Sequence, residues 1–104
     1  MDITVDELKA WMDRGGDFQL LDVREPFESG ICSLPNSTLI PMSELARRLG
    51  EIEAGRDTVV YCRSGNRSQT VVNYLRRQGY NRAVNLHGGI LEWIDRIDPS
   101  MTRY

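Results

Sequence analysis

Apolar residues along this chain alternate between short continuous runs and stripes at helical spacing. Val5, Leu8, Trp11 and Met12 form the first stripe. Ahead of it, Thr4-Val5-Asp6-Glu7 has the pattern of a capping box, in which a hydroxyl and a carboxylate each satisfy an orphan amide of the first turn. Gly15-Gly16 ends that helix, and a very short strand at Ile3 precedes it. Residues 18–23 make an apolar run broken only by Gln19 and Asp22, short enough for a strand covered on both faces. Residues 38–40 read as a third strand ending at Pro41, and Met42, Leu45 and Leu49 as the inner stripe of a helix before Gly50, with Arg47 and Arg48 on its solvated face. The run Thr58–Tyr61, rich in β-branched residues, is a buried strand. After it, residues 69–78 return to helical periodicity through Val71, Val72 and Leu75, with residues 66–69 as a cap and Gly79 as the stop. Ala83–Leu86 is the last strand, and Ile90, Trp93, Ile94 and Ile97 stripe the last helix.

Strands that alternate with helices predict an α/β domain with a mostly parallel sheet, right-handed connections and a ligand site at the carboxyl ends of the strands. The 104 residues and 40% hydrophobic content fit a single domain over residues 1–104, with no internal repeat or linker. A formal charge of −2 and a pI near 5.3 leave no basic footprint for nucleic acid or an anionic membrane. No apolar run approaches the roughly 20 residues that span a bilayer, and the start lacks the regions of a signal peptide. Two cysteines without framework spacing suit a reducing compartment, so the expected location is the cytoplasm. With one histidine besides, they argue against a protein metal site.

The candidate chemistry sits where the strand Thr58–Tyr61 ends. Cys62 follows it at the mouth of a turn cluster, Ser64-Gly65-Asn66, that feeds a helix. Loop amides and the first helical turn present unpaired N–H groups to any charge at that place. A thiol of ordinary pKa about 8.5 falls to roughly 3.5–7.5 beside helix N-termini and cations, and Arg63 and Arg67 add two positive charges. This reading makes Cys62 largely thiolate at neutral pH. The alternative is a buried structural cysteine between solvated arginines, which leaves a doubly basic, glycine-containing loop without a reason.

The hexapeptide Cys62-Arg63-Ser64-Gly65-Asn66-Arg67 resembles the active loop of the rhodanese family of sulfurtransferases. Leu20-Leu21-Asp22-Val23-Arg24-Glu25-Pro26-Phe27-Glu28 and the Gly88-Gly89 pair ahead of Trp93 resemble the same family. The resemblance spans nearly the whole chain. It implies a rhodanese-like three-layer α/β fold, five strands flanked by helices on both faces, and one catalytic unit. It also implies a cysteine that takes up sulfane sulfur as a persulfide, cradled by backbone amides. Related phosphatases and arsenate reductases use a loop one residue longer; here the arginine takes the sixth place and Ser68 the next, so that chemistry is set aside.

On this resemblance Cys62 is the nucleophile. Arg63, Ser64, Gly65, Asn66, Arg67 and Ser68 bind substrate, Arg67 with Arg63 neutralising an anionic donor, and Asp22 and Arg24 are scaffold for the loop. Persulfide transfer by an ionised thiolate needs only the loop amides, so no cofactor is implied, and the single histidine, His87, is not assigned as a general base. The donor is thiosulfate or a persulfidated cysteine desulfurase. The acceptor is cyanide in an assay, or a sulfur-carrier protein activated at its carboxyl terminus. The last of these is suggested by Ile31-Cys32-Ser33-Leu34-Pro35 and the tail from Asp98 to Tyr104, which look like rhodanese domains joined to adenylyltransferases. Whether the chain stands alone or is excised from such a protein is left open. Cys32 is a packed side chain or a resolving thiol for Cys62. A thiol redox sensor built on that pair and a non-catalytic interaction module are the rival readings.

Overall fold

The run Thr58–Tyr61 forms β4, the central strand, and all four of its residues are buried. A computed structural model describes residues 1–104. Beside β4 lie β2 (Gln19–Asp22) and β5 (Ala83–Leu86), and the edges are β1 (Asp2–Ile3) and β3 (Thr38–Leu39). The spatial order is β1-β5-β4-β2-β3 and every pairing is parallel, so the mostly parallel sheet of the sequence reading is wholly so. Parallel neighbours require crossover connections, and the intervening helices supply them.

Side chains alternate across a strand. Leu20, Val59, Tyr61 and Leu86 therefore pack on one face with Val5 and Leu8 of α1 (Val5–Asp13) and Ile90, Trp93 and Ile94 of α4 (Gly89–Arg96). Leu21, Val60, Cys62 and Ala83 pack on the other face with Val71, Val72 and Leu75 of α3 (Asn66–Arg77). Helices on both faces bury β4 completely and all but one residue each of β2 and β5, which is why those strands read as apolar runs. The capping box of α1 forms as expected: the Glu7 amide donates to Thr4 Oγ1 at 3.1 Å and the Thr4 amide to Glu7 Oε1 at 2.9 Å.

Two local expectations are corrected, and one helix is added. The predicted helix through Met42, Leu45 and Leu49 is instead two 3₁₀ segments, Met42–Glu44 and Ala46–Glu51, with Arg48 off helical geometry at φ −114° and ψ 15°. Helical spacing of three apolar residues does not by itself fix the winding; in a stretch this short tertiary packing decides between α and 3₁₀. The helix after Cys62 starts at Asn66, and its cap is Gly65 in the left-handed region at φ 108° with no side-chain cap bond; residues 66–69 are inside it. Between β2 and β3, a short helix α2 (Pro26–Ile31) starts with proline in its first turn, and the Glu28 carboxylate accepts the Glu25 amide at 2.9 Å. Its six residues are too few to show a hydrophobic period.

Candidate active site

Gly65 lets the chain turn sharply enough after β4 for the loop amides to curl back on the thiol. The Gly65 amide donates to Cys62 Sγ at 3.2 Å and the Ser68 amide at 3.4 Å, while the Ser68 hydroxyl lies 3.3 Å from the sulfur. Cys62 is 1% exposed. That burial pushes the thiol up, but the Ser68 hydroxyl and the amides of Ser68, Gly65 and Ser64 outweigh it and hold the thiol below its ordinary value. The depressed pKa expected from the sequence is present. Its main cause is hydrogen bonding from the loop, and the Arg67 charge acts in the same direction as a smaller contribution.

The other wall of the loop is α4. Its first amides donate into the loop, Ile90 to the Cys62 carbonyl at 3.0 Å and Leu91 to the Arg63 carbonyl at 3.1 Å. A Cβ at Gly89 would stand 2.4 Å from the Arg63 carbonyl oxygen and 2.7 Å from that of Cys62. Only glycine allows this approach at position 89.

Asp22 and Arg24 sit at the end of β2, and both side chains are fully buried. Arg24 Nε donates to Asp22 Oδ1 at 2.9 Å and Nη2 to Oδ2 at 2.8 Å, and the Tyr61 hydroxyl donates to Oδ2 at 3.1 Å. Burial works against the Arg24 charge, but its bonds to Asp22 and Tyr104 raise its pKa above the ordinary guanidinium value. Its remaining donors go to the Cys32 carbonyl at 2.7 Å, the Tyr104 hydroxyl at 2.9 Å and the Glu28 carbonyl at 3.4 Å. Asp22 and Arg24 thus hold together β2, the chain after α2 and the tail, a structural arrangement with no donor left for a substrate.

Arg67 does not stand free. Its two terminal nitrogens donate to the Glu28 carboxylate at 2.7 and 2.8 Å. Arg63, exposed at the rim with Ser64 and Asn66, turns to the tail: its Nε donates to the Tyr104 main-chain oxygen at 2.9 Å and its guanidinium lies 5.2 Å from the Tyr104 ring centroid. His87 is exposed and faces Asp2, with 3.5 Å between Nδ1 and Oδ2. Cys32 and Cys62 are both free and buried, and they belong to the cores on opposite faces of the sheet.

Three residues of this arrangement escaped the sequence reading. Glu28, on α2, carried no role in the motif from Leu20, and Tyr104 lies far from the loop in sequence. Asn85, buried on β5, accepts from the Ser68 hydroxyl at 2.5 Å and donates to the Gly65 carbonyl at 3.3 Å. The signal for Asn85 was an amide inside an apolar strand, which must find a partner once buried.

Comparison with known proteins agrees with this fold. A sulfurtransferase of Allochromatium vinosum is 44% identical over 77 residues, covering 74% of this chain and 72% of that one. The probable adenylyltransferase/sulfurtransferase MoeZ of Mycobacterium tuberculosis is 36% identical over 104 residues, covering 98% of this chain and 26% of that protein. The chain therefore spans about a quarter of the length of that relative. Among solved structures, a rhodanese-related protein from Thermoplasma volcanium superposes with a TM-score of 0.83 at 36% identity over 92% of each chain. No helix is long and apolar enough to cross a membrane. The rhodanese-like domain family matches residues 4–96, and with sulfurtransferases among its relatives the chain belongs to that family.

Proposed function

We propose that the chain carries sulfane sulfur as a persulfide on Cys62, from thiosulfate or a protein persulfide to a thiophilic acceptor. The observation that carries this reading is the Cys62 thiol under the Gly65 and Ser68 amides at 3.2 and 3.4 Å. Those amides stabilise negative sulfur on the thiolate before transfer and on the persulfide after it, without reorganisation. The Cys62 thiolate attacks the outer sulfur of the donor. A new S–S bond forms as the donor's S–S bond breaks, and the electron pair leaves on sulfite or on the donor's thiolate. An acceptor nucleophile then attacks the outer sulfur of the persulfide, and the bonding pair returns to Cys62 as thiolate. Arg63 to Ser68 form the rim and cradle, and no cofactor takes part.

The adenylyltransferase/sulfurtransferase relative supports an acceptor of the sulfur-carrier kind, a protein activated at its carboxyl terminus. A persulfidated cysteine desulfurase is the protein donor of this proposal. The rival redox pair is disfavoured, because Cys32 and Cys62 face opposite sides of a sheet and a disulfide needs their Cβ atoms within about 4.5 Å. A non-catalytic module would have no use for an activated thiol.

Intact-mass spectrometry after incubation with thiosulfate, beside Cys62→Ser, is the test. Gain of one sulfur on the wild type alone, removed by cyanide with release of thiocyanate, is the expected result. No adduct from thiosulfate or from a persulfidated cysteine desulfurase overturns the reading.

A further inference from the structure

Both cations of the loop are engaged within the fold, and Tyr104 is common to the two contacts. It holds Arg63 directly, through its ring at 5.2 Å from the guanidinium and its main-chain oxygen at 2.9 Å from Nε, with Nη2 donating to the same oxygen. It reaches Arg67 through Glu28: the Tyr104 hydroxyl donates to Glu28 Oε1 at 2.9 Å, and the same carboxylate pairs with Arg67. The hydroxyl is fixed in turn by Arg24 Nη1 at 2.9 Å, and Arg24 is locked by Asp22. The tail is thus fastened to the buried scaffold at one end of the ring and to the rim of the loop at the other.

The consequence is a selection by charge. Thiosulfate is a dianion whose sulfonate end must be neutralised as it leaves water. A persulfide on a thiol carries its charge on the reacting sulfur alone, where the loop amides already point. With Arg67 balanced by Glu28 and Arg63 covered by the tail, the amides point at the sulfur while the cations are engaged elsewhere. Resting on the sulfur-transfer reading above, we propose that Tyr104 sets donor specificity: docked, it favours a persulfide donor, and its release frees Arg63 to bind the sulfonate of thiosulfate. Tyr104 takes no part in the exchange of electrons; in both cases the Cys62–sulfur bond forms as the donor's S–S bond breaks, and the pair leaves on sulfite or thiolate.

The test compares two donors, thiosulfate and benzyl persulfide, which has no charged group besides its sulfur. Loading of Cys62 is followed by mass spectrometry in the wild type, Tyr104→Ala and Tyr104→Leu, the last refilling the apolar volume of the ring. Both variants are expected to raise kcat/KM for thiosulfate roughly fivefold or more relative to benzyl persulfide, since they remove the ring stacked on Arg63 and the hydroxyl that anchors the tail to Arg24 and Glu28, so that the tail and its main-chain oxygen can leave the guanidinium. Adding Arg63→Ala to either variant is expected to remove the gain. An unchanged ratio of the two donors in both variants, or a gain that survives loss of Arg63, overturns the role of Tyr104 and leaves sulfur transfer intact. A wild type that takes sulfur from neither donor overturns the sulfur-transfer reading, and the Tyr104 proposal with it.

Discussion

Glu28 grips Arg67 with both carboxylate oxygens, at 2.7 and 2.8 Å, from a position only 6% exposed. The Arg67 bonds are the main reason its pKa falls from 4.5 to about 2, against the opposing effect of burial. Between those values the unfolded chain binds a proton that the folded one does not, so stability rises with pH there. The contribution is complete above pH 4.5 and is lost as the pH falls through about 2. Water at the half-buried Arg67 trims it to about 2–3 kcal/mol. Urea melts across that window are expected to show a steeper slope in the wild type than in Glu28→Gln, where only the other depressed carboxylates such as Glu7 and Glu51 remain; parallel curves for the two proteins contradict the pairing.

Arg24 and Asp22 are both fully buried, so each is the other's replacement for water. Truncating one leaves a buried charge unmatched, which costs far more than the pair itself contributes. Arg24→Met is therefore expected to lose about 3–5 kcal/mol, and Arg24→Met with Asp22→Asn to recover much of that. Additive losses in the double variant would show that the two residues act separately. Arg24→Lys is not conservative here, because one ammonium cannot reproduce the fork that meets both Asp22 oxygens.

The Ser68 hydroxyl has one proton and two claimants, Asn85 Oδ1 at 2.5 Å and Cys62 Sγ at 3.3 Å. With the thiol protonated, the S–H can donate to Ser68 while Ser68 serves Asn85. With the thiolate, the Ser68 proton is needed at sulfur. Ser68→Ala is expected to raise the Cys62 pKa, read from thiolate absorbance or the pH profile of alkylation. Asn85→Ala has the opposite expected sign, because it releases the hydroxyl to sulfur. Shifts in the same direction for both variants would sink this account.

The sequence made the loop and the sheet legible for the same reason: each is local. A β-branched run, a glycine turn and a helical stripe lie consecutively from Thr58 to Leu75, and their periods show directly which residues are covered. Glu28, Asn85 and Tyr104 were not legible, because their roles arise from pairing across the ends of separate strands and the tail. A sequence shows that Arg67 is charged but not that Glu28 has already neutralised it. The 3₁₀ segments after Pro41 failed for a different reason: Met42, Leu45 and Leu49 satisfy helical spacing, but tertiary packing over a stretch this short decides the winding.

Gly89 and Gly65 are both glycines at positive φ, +64° and +108°, yet they are held to glycine by different forces. At Gly65 a Cβ would meet its nearest neighbour at 3.6 Å, ordinary contact, so only the backbone strain of a left-handed residue remains. At Gly89 the Cβ would stand 2.4 Å from the Arg63 carbonyl oxygen, which is main chain and cannot swing aside. Relief requires α4 to withdraw from the loop, breaking the Ile90 and Leu91 amide bonds to the Cys62 and Arg63 carbonyls. Gly65→Ala is expected to cost about 1–2 kcal/mol, and Gly89→Ala about 3 kcal/mol, from overpacking added to strain. Because the displaced carbonyls belong to the loop itself, Gly89→Ala is also expected to slow alkylation of Cys62 at neutral pH. Equal losses of stability at the two positions would mean that α4 yields freely, and that the loop does not depend on it for its shape.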